Sequence, residues 1–328
     1  MRIAIVHSNP DSIKQLKQLI CDLGYSVSWN SETGHQALLN HQQDKPDLLL
    51  ISLEITDMSG SDLIQQIMRD TTATIIATCP SVKDNTARVF QAMSYGALDA
   101  LSEPQADNET SLNDFKNKLS NIKKLHDSAN RIPRPKSKPS SATTTLVAIG
   151  ASTGGPAALL TILKQLPASP RASFVIIQHM DDEFSQGLAN WLDEQTDISV
   201  EIAQPHTRPE PGHAYMAGRN DHLIIDEEGY FDYTHEPASY PYRPSVNAFF
   251  ESAVAHWPGR LIGVLLTGMG RDGANGLLSF YNRGMLTIAQ SQQSCAVYGM
   301  PRAACEAGAV RKQLDINEIA TEILKQLD

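Results

Sequence analysis

Three stretches of this 328-residue chain carry groups able to act together on a carbonyl carbon: Ser152 in TLVAIGASTGGP, His179 in FVIIQHM and Asp272 in LIGVLLTGMGRDGANGL. A serine hydroxyl is a weak nucleophile until an imidazole takes its proton during attack. An aspartate that holds the ring in one tautomer then stabilises the imidazolium so formed. Ser152, His179 and Asp272 are the residue types for that division of labour. The glycines after Ser152 add exposed N–H groups and the positive end of a helix dipole. An oxyanion formed there would be met by the Thr153 N–H and by a second N–H from the TGMG loop.

Each stretch has a plainer reading when taken alone. The turn Gly150 to Gly155 fits a phosphate cradle, because G-A-S-T-G is short enough to arise often by chance. Against a nucleotide site, no lysine follows the glycines and no G-x-G-x-x-G occurs. His179 alone reads as a capping or half-buried histidine, and Asp272 as the N-cap of a helix opening at Gly273. The hydrolase reading rests on all three standing where apolar strands end, since open α/β sheets gather functional groups beyond the carboxyl ends of their strands.

The elements that must position these groups follow from periodicity. TLVAIG, FVIIQ, SVEIA, LIGVLLTG and MLTIAQ read as buried strands, with helices such as AALLTILKQL, SVNAFFESAVAHW and EIATEILKQL between them. AYMAG, HLIID and YFDYTH read as short strands of an added hairpin-like region. Upstream, RIAIVHS, YSVSWN, DLLLISLE, TIIATCP and ALDALSEP alternate with helical segments such as SIKQLKQLICDLG and ARVFQAMSYG, which predicts a small doubly wound α/β unit. The expected organisation is residues 1–128 for that unit, a proline-containing basic linker over 129–144, and 145–328 for a second α/β unit with a mainly parallel sheet.

Composition narrows the function classes. A net charge of −10 with no dense Lys/Arg stripe argues against duplex nucleic acid or an anionic membrane as the main partner. Cys21, Cys79, Cys295 and Cys305 lack the spacing of a zinc site or a disulfide frame, so neither a metal nor a cofactor is expected. MRIAIVHSNP lacks the basic start and apolar stretch of an export signal, and no apolar run approaches ~18 residues. Both features predict a cytoplasmic protein without membrane insertion.

Ser152 in IGASTGGP, His179 in IIQHM and Asp272 in LLTGMGRDG, followed by GHAYMAGRNDHL, RPSVNAFFESA and AQSQQSCAVYGMPRAA, resemble the CheB-type chemotaxis protein-glutamate methylesterases. The resemblance spans the chain. It implies hydrolysis of γ-methyl glutamate on the cytoplasmic helices of a chemoreceptor to glutamate and methanol, and deamidation of particular receptor glutamines. Carried over, Ser152 is the nucleophile, His179 the base, Asp272 its orienting partner and Met269 a second backbone oxyanion donor. Gly218 departs from the family, which usually has proline there.

The first half resembles the receiver domain of response regulators, but its reactive positions differ. Where the family has a pair of acids for Mg²⁺, a phosphate-accepting aspartate and a lysine, this chain has His7 with Ser8, Ser52 and Glu103; Thr78 keeps its expected type. His7 and Ser8 offer Mg²⁺ little, because it demands anionic oxygen ligands, and a serine cannot form the acyl phosphate. Glu54 and Asp57 are the nearest acids, with Asp57 expected to face solvent. The expectation is a flavodoxin-like pseudo-receiver, so that the esterase is controlled by something other than phosphate, such as a bound chemosensory protein, or is not controlled by this domain at all. In the family the unphosphorylated receiver covers the esterase cleft. The rival reading is a signalling adaptor with a silent hydrolase half.

Overall fold

The structure, a computed structural model, describes residues 1–70, 74–104 and 145–327 together with four helical positions at 112, 115, 116 and 119. Two compact units divide the chain, Met1–Asn130 and Arg131–Asp328. The linker expected over 129–144 lies outside the described residues.

The first unit alternates strand and helix: β1 (Arg2–Val6), α1 (Pro10–Asp22), β2 (Ser26–Ser31), α2 (Gly34–Gln43), β3 (Leu48–Ser52), α3 (Gly60–Asp70), β4 (Thr74–Cys79), α4 (Thr86–Ser94) and β5 (Asp99–Ser102). The strands form one parallel sheet in the order β2-β1-β3-β4-β5. Every residue of β3 is buried, as a strand covered on both faces requires. Helix α1 shows why helices form here. Asn9 caps it by accepting the Asp11 and Ser12 N–H groups, Pro10 pre-sets the first turn, and Ile13, Leu16, Leu19 and Ile20 make a single apolar stripe. That stripe packs on Ile3, Ile5, Leu48 and Leu50.

The second unit comprises β6 (Thr145–Ala151), α5 (Gly155–Leu163), β7 (Ala172–Gln178), α6 (Asp182–Gln195), β8 (Ser199–Ile202), β9 (His213–Met216), β10 (His222–Ile225), β11 (Phe231–Thr234) and α7 (Val246–His256). Then follow β12 (Arg260–Leu265), α8 (Ala274–Asn282), β13 (Leu286–Gln290), α9 (Met300–Glu306), β14 (Lys312–Leu314) and α10 (Ile316–Leu324). Seven strands form a parallel sheet in the order β14-β13-β12-β6-β7-β9-β8. Strands β6 and β7 are buried along their whole length, so their rows of apolar residues read as continuous runs.

One strand belongs elsewhere than expected. HLII and FDYT pair antiparallel as the two-stranded sheet β10–β11, but HAYM joins the main sheet as β9, between β7 and β8. The fold class is otherwise as expected: a doubly wound unit followed by a mainly parallel α/β unit. Since β6 has β7 on one side and β12 on the other, the carboxyl ends of these three strands lie together at the point where the winding reverses.

Candidate active site

Strand β6 delivers Ser152 into a tight turn before α5. The Ser152 N–H donates to Thr267 O (3.0 Å), and the Gly155 N–H donates to Ser152 O (2.7 Å). Gly154 adopts φ +77°, and a Cβ there would lie 2.6 Å from Ala296 Cβ, so this position admits only glycine. Gly268 is equally confined, since a Cβ on it would come within 2.6 Å of Ser152 Cβ. Nothing larger fits between the nucleophile turn and the loop after β12.

His179 stands on the next strand at the same level. The β6–β7 register pairs Ala151 with Gln178, and the His179 N–H donates to Ala151 O (3.0 Å). Ser152 and His179 therefore each follow the last paired residue of two adjacent strands, which run ~4.8 Å apart. Buried Gln178 ties the two together: its Nε2 donates to Ser152 O (2.9 Å) and to His179 O (3.1 Å).

The loop after β12 supplies Asp272. Its Oδ2 lies 2.8 Å from His179 Nε2, with the side chains only 5% and 7% exposed. Both oxygens are fully engaged. Oδ2 also accepts the Val246 N–H (2.7 Å), while Oδ1 accepts the Ser245 hydroxyl (2.9 Å), the Asn247 N–H (3.1 Å) and its own Gly273 N–H (3.0 Å). Burial alone would raise the carboxyl pKa, but the His179 hydrogen bond and charge with the Val246 and Asn247 amides hold it below the usual carboxylate range. Asp272 is not the N-cap of the helix that follows it, a place taken by Gly273; it accepts the first two N–H groups of α7 instead, at the end where the helix dipole favours an anion.

This arrangement turns the ring. Because Nε2–H donates to Asp272, the lone pair sits on Nδ1, which is buried and without a hydrogen-bond partner among the described residues. The general triad uses the opposite nitrogens. The second link of the chain is thus closed at Asp272, whereas the Ser152 hydroxyl makes no hydrogen bond to the ring in this conformation. Catalytic hydrogen bonds often tighten only when substrate is bound.

The expected oxyanion donors lie in the two loops around Ser152. Neither the Thr153 nor the Met269 N–H donates to an acceptor among the described residues. The loop carrying Met269 is held through Gly268, whose N–H donates to Val297 O and whose carbonyl accepts the Gly299 and Met300 N–H groups. Sequence reasoning missed Tyr242, whose ring stacks on His179 with centroids 4.3 Å apart and planes 11° from parallel. It also missed Ser245, although a serine just before an apolar helical run is an N-cap signature. Gly218, where the family has proline, donates its N–H to the Tyr233 hydroxyl (3.0 Å), a bond proline cannot make. No group of three or more His, Cys, Asp or Glu side chains suited to a metal occurs among the described residues.

The carboxyl ends of β1, β3 and β5 look quite different. His7 Nδ1 accepts the Asn9 N–H (2.9 Å), so Nε2–H points at Glu103 Oε1 (2.9 Å). Buried Ser52 accepts the Glu54 N–H through its hydroxyl (3.2 Å). Asp57 is exposed, as expected, and its carboxylate also accepts the Gly34 and His35 N–H groups at 2.8 and 3.0 Å and meets His35 Nδ1 at 2.7 Å, so it holds the start of α2.

Comparison with known proteins agrees with both units. Residues 147–323 match the CheB methylesterase family, and residues 3–112 match the response regulator receiver domain. The chain is 39% identical, over all of both chains, to "Protein-glutamate methylesterase/protein-glutamine glutaminase 3" of Pseudomonas aeruginosa. It is 40% identical to "Protein-glutamate methylesterase/protein-glutamine glutaminase 2" of Cupriavidus metallidurans, over 99% of this chain and 98% of that one. The crystal structure of the Thermotoga maritima CheB methylesterase catalytic domain superposes on 56% of this chain and 100% of its own, with TM-score 0.54 and 31% identity. With its glycine-rich serine turn, buried His–Asp pair and full-length relatives, the chain belongs to the CheB methylesterase family and carries a response regulator receiver domain ahead of the esterase unit.

Proposed function

We propose that this chain hydrolyses γ-methyl glutamate esters on the cytoplasmic domain of a chemoreceptor, releasing methanol and glutamate, and deamidates receptor glutamines by the same route. The observation that carries this reading is the His179 ring, held through Nε2 by a buried carboxylate while its Nδ1 is buried and without a partner among the described residues, on the strand next to the one that ends at Ser152. Both activities stand in the names of the relatives.

In the proposed sequence, rotation of the Ser152 side chain brings its hydroxyl to Nδ1. Oγ attacks the ester carbon as Nδ1 takes the proton, and the carbonyl electron pair becomes an oxyanion facing the Thr153 and Met269 N–H groups. Asp272 stabilises the imidazolium. Collapse of the tetrahedral intermediate breaks the C–O bond to the leaving group, which departs as methanol with the His179 proton. Water, deprotonated by Nδ1, then attacks the acyl-serine, and Oγ leaves with the proton to restore the hydroxyl. For a glutamine side chain the leaving group is ammonia.

Methanol release from methylated receptor membranes tests this. The wild-type chain releases methanol and Ser152→Ala does not; equal release by both ends the triad assignment, and no release by either favours the adaptor reading. For the first unit we infer a chemosensory protein as partner in the cytoplasm and no control by aspartyl phosphate, because Ser52, His7 and Glu103 stand at the reactive positions. Incubation with a small phosphodonor and Mg²⁺ leaves this unit unmodified. Acid-labile phosphate on it would contradict the inference.

A further inference from the structure

His222 opens β10 and is wholly buried, yet it belongs to the hairpin rather than to the main sheet. Its Nδ1 accepts the backbone N–H of Ser245 at 3.1 Å. Ser245 is the N-cap of α7; its hydroxyl accepts the Ala248 N–H (3.3 Å) and donates to Asp272 Oδ1. The next two N–H groups of the helix, from Val246 and Asn247, run to the two oxygens of Asp272. The Asn247 side chain accepts the Gly276 N–H (2.8 Å), tying the same turn to α8. A continuous line of buried polar contacts therefore leads from the hairpin to the carboxylate that holds His179.

The accepted N–H fixes the His222 tautomer, with the proton on Nε2 and the lone pair on Nδ1. A doubly protonated ring would set N–H against N–H and break the contact. Burial lowers the His222 pKa, and so favours the neutral ring; Arg243, Asp272 and Asp221 are the charges that face it, with the Pro237 backbone, while the Tyr240 ring stands edge-on at 6.0 Å.

We propose that His222 is a positioning residue for the esterase reaction: by holding the Ser245 N–H it fixes the first turn of α7, whose donors aim Asp272 at His179. The proposal rests on the triad reading above. A residue serving hairpin packing alone needs no acceptor, and Leu223, Ile225 and Phe231 already supply an apolar contact to the core. The acceptor is the feature that links this residue to chemistry.

Two substitutions isolate that acceptor. His222→Phe keeps the ring bulk and removes Nδ1, whereas His222→Asn restores an acceptor oxygen. For His222→Phe we expect kcat for methanol release to fall about ten-fold or more, with KM changed by less than about two-fold. The acid limb of the pH–rate profile moves to lower pH, because a poorly held Asp272 stabilises the imidazolium less. The downfield proton resonance of the His179–Asp272 hydrogen bond weakens. His222→Asn recovers most of the rate and the resonance. Thermal unfolding reports whether each variant folds, and His222→Leu takes the place of His222→Phe if the latter does not. Wild-type kcat, profile and resonance in the acceptor-free variant overturn the proposal, as does a His222→Asn enzyme no faster than that variant. Equal methanol release by Ser152→Ala and the unsubstituted chain overturns the triad itself, and this inference with it.

Discussion

Asp57 and Asp272 use one device in two settings. Each extends from a loop after a buried strand, accepts two successive N–H groups at the start of a helix that is not its own, and meets a histidine. The histidine at Asp57 is 75% exposed and its carboxylate 24% exposed; the pair at Asp272 is almost dry. Water decides the difference. An exposed ion pair contributes ~0 to 1 kcal/mol and orders little, whereas a buried charge must be fully bonded and so has a fixed direction. Of the two pairs, only the dry one leaves a buried ring nitrogen without a partner among the described residues. A capped helix and a His–Asp contact are therefore not sufficient for chemistry; exclusion of solvent and an adjacent nucleophile complete it.

The largest effect that tests the contrast is at the buried site. Asp272→Asn is expected to lower kcat by about 10³- to 10⁴-fold, because an amide in that position favours the wrong ring tautomer. Asp57→Ala leaves methanol release unchanged and costs about 1 kcal/mol of stability, the ordinary effect of a lost helix cap, measured from the denaturant midpoint. A comparable loss of activity from both substitutions would erase the distinction. The smallest effect is the acid response of the first unit. Burial tends to raise the Asp57 pKa, but the His35 and Gly34 amides and the His35 ring bring it down to about 2 from 3.8. Its contribution to stability is therefore complete above about pH 4 and drains away as the pH falls toward 2. Acid titration of the unfolding midpoint detects this drop in the wild type, and Asp57→Asn flattens it.

Much of the fold was legible because strands such as LLLIS are apolar throughout and helices such as α1 carry both a cap and a stripe. HAYM was misassigned to the hairpin because a four-residue strand shows no sign of which sheet it will join. The edge strand KQL is partly exposed and carries no apolar alternation. At the site, the three chemical residues were legible from type and place, but their surroundings were not. Asp272 meets the start of α7 at a residue 26 positions away, and no local pattern announces such a contact. Which ring nitrogen remains free follows from the side of His179 on which Asp272 sits, a fact of packing rather than of spacing. Tyr242 belongs to a loop, where an aromatic residue has no periodicity to mark its partner.

Ser152 and His179 directly follow the last pair of the β6–β7 ladder, Ala151 with Gln178, so the register of that ladder sets where both emerge. A slip of a single residue would send the imidazole to the opposite face of the sheet, because side chains alternate along a strand. The seven buried residues on each of these strands make such a slip prohibitive. The interior packing of these two strands is therefore also what holds the register from which Ser152 and His179 emerge.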